Sequence, residues 1–362
     1  MKNALRFILI NFILLCAVTL YAQTGHEGHN HTLANTATAA QPHASAAQNE
    51  EKLNIKDLIF DHVLDDHSWH FFTVGDFHAA IPLPCIIYDN SGVHFFMSSQ
   101  FHHGHDTVKL AGADYILDHG VIMRTDGNSF FDISITKNVA SLLISCLVLW
   151  FILTSVAKKY KNKNVAPTGL QNAIEPIVIF IRDEVAKPML GARYAKWLPY
   201  LLTLFFFIWV NNVLGLLPGG ANLTGNIATT MCLALLTFIF TLFSTNSHFW
   251  SHMVNPPGIP LAVKFLLAPV ELLGVFTKPF ALMIRLFANI LAGHLIILSL
   301  ICLIFIFAGL STWLGWFVAP VSVAFSLFIF CIETLVAFIQ AFIFTMLTAM
   351  FIGEASPVEE HH

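Results

Sequence analysis

The sequence predicts an all-α integral membrane protein of about five membrane-crossing helices, preceded by a small exported domain, because apolar stretches of about 20 residues recur after residue 139. Composition agrees: 56% of residues are apolar and 11% charged, with mean hydropathy +0.70, against roughly 25% charged in soluble domains. The third observation is placement. Most charges lie in the loops, and the few at membrane depth form a cluster near the C-terminus. No basic patch points to nucleic acid, and no Gly-rich phosphate loop points to a nucleotide site.

Lys2 and Arg6 precede the apolar run Phe7 to Leu20, and Tyr21-Ala22-Gln23 opens a polar stretch. Residues 1–22 therefore read as a signal peptide, or else as a retained first anchor, and in either case the following segment faces outward. Residues 23–50, rich in Ala, Thr, Gln, Asn and His, have little to bury and read as a disordered linker. Residues 51–132 form the exported domain, with strands expected around Ala79 to Pro84 and Val93 to Met97. Cys85 is the one cysteine of this domain, so no disulfide framework is expected, and an impermeant thiol reagent should reach it from outside if the domain leaves it accessible. Thirteen of the 18 histidines fall between His26 and His119, with clusters at His26, His29, His31 and at His102, His103, His105. Solvated histidines, proton buffering and loose metal binding all remain open there, and no defined metal centre or cofactor is expected.

In the membrane domain, residues 133–362, hydropathy marks Val139 to Ala157, Leu198 to Leu217 and Ile227 to Phe243 as spans. Lys158, Lys159, Lys161 and Lys163 follow the first span, while Arg193 and Lys196 precede the second, which places that loop in the cytoplasm. Between them Leu170 to Lys187 mixes apolar and charged residues and is expected to lie along the interface as an amphipathic helix. Two longer stretches follow, Ile259 to Leu310 and Leu314 to Ile352. As a helix the second would reach about 58 Å, nearly twice the roughly 30 Å hydrocarbon core. A strongly tilted hairpin turning near 309–315 is predicted, with the C-terminus in the cytoplasm.

Each ionisable residue at membrane depth needs a reason. Lys264 sits near a segment start and reads as snorkelling to the interface. Glu271, Lys278 and Arg285 recur every seven residues and share one helix face, so a Glu271–Lys278 ion pair is one reading. Arg285 cannot shed its charge and demands an anion or water, either a carboxylate of this chain, Glu271 or Glu333, or one on another subunit. His294 and Glu333 are a candidate proton-relay pair. A hairpin turning near residue 313 places His294 level with Glu333, and Arg285 level with Gln340.

These residues resemble the a subunit of the F-type ATP synthase. The resemblance lies in Lys278-Pro279, Arg285-Leu286-Phe287-Ala288-Asn289, Ala292-Gly293-His294 and Gln340-Ala341-Phe342-Ile343-Phe344, with weaker matches at Leu170 to Glu175, Asn211-Asn212 to Pro218 and Thr224-Gly225-Asn226. It implies a proton-conducting stator subunit, without an ATP site, in a bacterial inner membrane. Arg285 would face the essential carboxylate of the rotor c ring, with Asn289 and Gln340 beside it. His294 and Glu333 would belong to the outer half-channel and Glu271 to the cytoplasmic side. The partners implied are the c ring, the peripheral-stalk b subunits, other synthase subunits, lipid and protons. The His-rich N-terminal region departs from the family's usual short N-terminus. A self-contained ion or metal transporter, or a metal-responsive receptor, is the alternative that the histidines raise.

Overall fold

A computed structural model describes residues 65–74, 77–104, 107–110, 112–118, 120–126, 130–160, 168–217, 220–245 and 261–355. The expected signal segment and linker, and the histidines at 26–31, lie outside the described residues, as do the side chains of His102, His103 and Lys264.

Among the described residues, eight short antiparallel strands make up the N-terminal region, in agreement with the strands expected there. They are β1 (Ser68–Val74), β2 (Phe77–Pro82), β3 (Pro84–Asp89), β4 (Gly92–Met97), β5 (Val108–Leu110), β6 (Ala113–Asp118), β7 (Val121–Arg124) and β8 (Phe131–Asp132). β1 and β2 pair as a hairpin, while β4–β3–β8 and β5–β6–β7 form two three-stranded sheets. Alternation along β3 buries Cys85, Ile87 and Asp89 and turns Tyr88 outward, which is the period-2 signature of a half-buried strand. The inward residues Cys85, Ile87, Phe96, Phe101, Tyr115 and Ile122 make the core. Cys85 is fully buried, and desolvation pushes its thiol up to about 12. The condition on which an impermeant reagent would reach it, an accessible Cys85, is therefore not met, because burial removes both access and thiolate character.

The strand ladder runs directly into the membrane domain. The amides of Ile133 and Ile135 donate to the carbonyls of Ile86 and Pro84, and Thr136 then caps α1 (Lys137–Lys159). From the other side, Asp65 accepts from the Asn138 amide and the Asp66 carbonyl accepts from Lys137 N. Two of the amides that a helix start leaves without intrahelical partners are thereby satisfied.

α2 (Leu170–Phe180) continues through a π-helical turn at Ile181–Ala186 into α3 (Lys187–Leu190). Ile174, Ile181 and Val185 are buried on one side, while Asp183 bonds Arg182 and Lys187 on the other, which is the amphipathic pattern expected of this stretch. Gly191, at φ +54°, ends α3, and a single 3₁₀ turn leads to α4 (Tyr194–Leu216). Asn226 then caps α5 (Ile227–Ser244) by accepting from the Ala228 amide.

α6 (Leu261–Leu310) and α7 (Thr312–Ala355) have 50 and 44 residues and turn at Ser311, inside the predicted window. At 1.5 Å per residue they measure about 75 and 66 Å. The packed core of the membrane domain lies between α4 and α7, where Leu201, Phe205 and Ile208 meet Ala341 and Phe344. Among the described residues, four helical stretches are long and apolar enough to cross a membrane, and Ile227–Phe243 is a shorter apolar one, in keeping with the predicted fold class.

Candidate proton-translocation site

The site is built along the α6–α7 hairpin. Ser322 Oγ donates to the Leu300 carbonyl and Asn289 Nδ2 donates to Gln340 Oε1 at 3.1 Å, so the two helices are tied at two heights. Gln340 is buried and Asn289 sits one turn from Arg285.

Arg285 points away from this seam. Leu282, Leu286 and Ile290 bury the packed side of α6, while Ala281, Arg285, Ala288 and Ala292 share its open side. Among the described residues no carboxylate lies in salt-bridge range of the guanidinium. Glu271 is half-buried and fourteen residues away on α6, about 21 Å along the axis. Lys278 does not pair with Glu271. Its Nζ lies 2.9 Å from Glu354 Oε2 and over the Phe351 ring, because the antiparallel α7 brings its C-terminal turn alongside.

Glu333 is 9% exposed and inserts its carboxylate between the helices, against Gly293. A Cβ at position 293 would overlap Glu333 Oε1, so only glycine leaves room. Neither carboxylate oxygen has a hydrogen-bond partner among the described residues. His294 follows Gly293 and shares its level with Glu333, but the two do not hydrogen-bond. An unpartnered buried carboxylate at this depth is costly and poised to take a proton or a polar partner.

Further polar groups, whose roles the sequence left unassigned, are buried on elements that pack against the hairpin. Asn212 Nδ2 donates to the Ala337 carbonyl, one turn from Glu333. Oδ1 of Asn211 and of Asn212, Asn222 Nδ2 and Thr224 Oγ1 are buried without hydrogen-bond partners among the described residues. The signal was the Asn211-Asn212 pair inside an apolar span, where polar side chains need a reason. Among the described residues no three His, Cys, Asp or Glu side chains converge as a metal site.

The family described as ATP synthase A chain matches residues 139–353, more than half of the sequence. The chain belongs to the ATP synthase subunit a family. It is 40% identical over 354 residues to ATP synthase subunit a of Pelodictyon phaeoclathratiforme, covering 95% of this chain and 88% of that one. It is 38% identical over 345 residues to ATP synthase subunit a 2 of Chlorobaculum tepidum, covering 92% and 83%. Over a shorter stretch of 238 residues it is 47% identical to ATP synthase subunit a of Chloroherpeton thalassium, covering 64% and 69%. A second family, a domain of unknown function, matches residues 58–141 and so takes in the β domain. This subunit a is a multi-pass membrane protein, the proton-conducting stator subunit of an F-type ATP synthase, and works with other subunits of that complex. The transporter reading gives way to it.

Proposed function

We propose that protons cross this subunit through two offset half-channels, each reaching partway, with Arg285 between them. One observation carries this reading. A guanidinium that cannot discharge sits on an open, alanine-lined side of α6 with no carboxylate of its own among the described residues. Small residues let a neighbouring helix approach closely, so the rotor c ring can bring its carboxylate to Arg285. The fixed charge favours ionisation of that carboxylate and repels a proton leaking straight across.

Entry from outside passes His294 and Glu333, exit passes Glu271 toward the cytoplasm, and Asn289 and Gln340 hold the helices in register beside Arg285. Lys158 and Lys159 close α1 on the cytoplasmic side, so the β domain faces outward and the C-terminus inward. The cell's inner membrane and the peripheral-stalk b subunits complete its surroundings, and ATP chemistry belongs to other subunits. Arg285→Ala should assemble yet abolish ATP-driven acidification of inverted vesicles. Preserved acidification in an assembled Arg285→Ala complex overturns the proposal.

A further inference from the structure

The β domain has one outer face of unusual character. On the β4–β3–β8 sheet, Cys85, Ile87 and Phe96 point to the core, so Tyr88, Val93, Phe95, Met97, Phe131 and Ile133 point out on the other side. Register brings them together, since Tyr88 pairs with both Val93 and Phe131 and Ile86 pairs with Phe95. Val93 is 68% exposed, and Phe95 and Phe131 are each 67% exposed. No charged residue interrupts this face, whereas the outer side of β5–β6–β7 carries exposed Lys109 paired with half-buried Asp114. A contiguous exposed apolar patch of this kind marks an interaction surface.

Its position selects the partner. The sheet that carries the patch runs directly into α1, because the ladder through Ile133 and Ile135 ends at the helix cap, and α1 in turn exposes Leu143, Leu147 and Phe151. α1 is about 34 Å long, so its first turn lies at one bilayer surface. The Ile135–Pro84 rung therefore sits at the headgroups, while the Asp89–Gly92 end is about 17 Å away along the strands. The headgroup layer on each side is only about 5–7 Å deep. A sheet standing upright would lift Tyr88, Val93 and Phe131 clear of it, and these far-end residues include two of the most exposed. A sheet lying along the surface keeps all six in the interfacial zone, where aromatic side chains are favoured.

We propose that the outer face of the β4–β3–β8 sheet rests on the lipid surface at the N-terminal end of α1. The β domain is then a membrane-bound collar and not a domain projecting into solvent. The test is lipid photocrosslinking in the assembled complex in native membranes, with benzoylphenylalanine replacing Phe95 or Phe131. Leu147 on α1 serves as the lipid-facing control and Lys109 as the solvent-facing one. Phospholipid adducts at 95, 131 and 147, and none at 109, are expected. Adducts of 95 and 131 with another protein, no adducts there while 147 reacts, or equal lipid adducts at 109 would each overturn the proposal.

Discussion

Gly293→Ala separates the geometry of Glu333 from the stability of the hairpin. The three atoms nearest an added methyl all belong to the Glu333 carboxyl group, the end of a flexible side chain, so Glu333 swings aside while the backbone stays. A displaced rotamer costs about 0.5–1.5 kcal/mol, and alanine in place of glycine within a helix returns about 0.5–1 kcal/mol. The net effect on stability is close to zero, and assembly should be normal. Function responds differently, because the carboxylate must retreat by about 2 Å to reach van der Waals contact. Misplacement of about 1 Å can cost roughly 100-fold in a positioned reaction, and proton transfer needs heavy atoms about 2.6–3.2 Å apart or one bridging water. ATP-driven acidification and ATP synthesis in vesicles should therefore fall about 10- to 100-fold at wild-type subunit content. Adding Glu333→Asp, one methylene shorter, should recover part of the loss. Wild-type proton flux in Gly293→Ala, failure to assemble, or a double variant no better than the single would refute the argument.

The junction between the β domain and α1 should be sensitive to pH. The His67 ring bonds the Gly120 carbonyl and Asp132 Oδ2. Burial lowers the His67 pKa, but the hydrogen bond and charge of Asp132 outweigh it and leave it above the ordinary 6.5. Burial raises Asp132, while the bonds from His67 and Ser134 leave it below 3.8. The His67 contribution is thus complete below pH 6.5 and lost as pH rises through its folded value; that of Asp132 is lost only below pH 3.8. Cleavage of the β domain by limited proteolysis should be slowest between these values and faster at alkaline pH. His67→Ala should cost about 1–3 kcal/mol and remove the alkaline part of this dependence; an unchanged profile would refute the assignment. Finally, Cys85 should resist an impermeant thiol reagent in the native complex and react once the domain is unfolded, and native labelling would contradict its place in the core.

The helical hairpin was legible because two apolar stretches too long for upright spans meet at a short Gly- and Ser-containing turn, and equal distance from that turn puts named residues level. Periodicity carried no information on contacts between helices. Lys278 shares a helix face with Glu271, yet it reaches Glu354 because a partner from a neighbouring helix lies nearer than one two turns along its own. The importance of Gly293 was likewise invisible, since a glycine next to His294 acquires meaning only when another helix brings a carboxylate against it. In the β domain, short apolar runs pointed to strands but could not tell which face of β3 would be covered. Cys85 and Tyr88 were therefore indistinguishable in exposure until the second sheet was in place.

Arg285 and Glu333 are both charge-bearing groups in one hairpin, and their separation explains why they do not cancel. Glu333 lies against Gly293, eight residues from Arg285 and thus about 12 Å along α6, on the seam where Arg285 is on the open side. At an effective dielectric constant of about 20, two unit charges 12 Å apart attract by about 1.4 kcal/mol, while a carboxylate in contact at about 4 Å gains about 4 kcal/mol. An outside carboxylate arriving at the open side therefore outcompetes Glu333 for the guanidinium by roughly threefold in energy. Had the hairpin register placed Glu333 opposite Arg285, the two would form an internal salt bridge and leave neither the fixed cation nor the free carboxylate that the proposed mechanism requires. Gln340 holds that level instead, and its neutral carboxamide bonds Asn289 without competing for Arg285. The fold thus keeps the cation and the carboxylate on one pair of helices, about two turns apart, and the proposed half-channel mechanism depends on that offset.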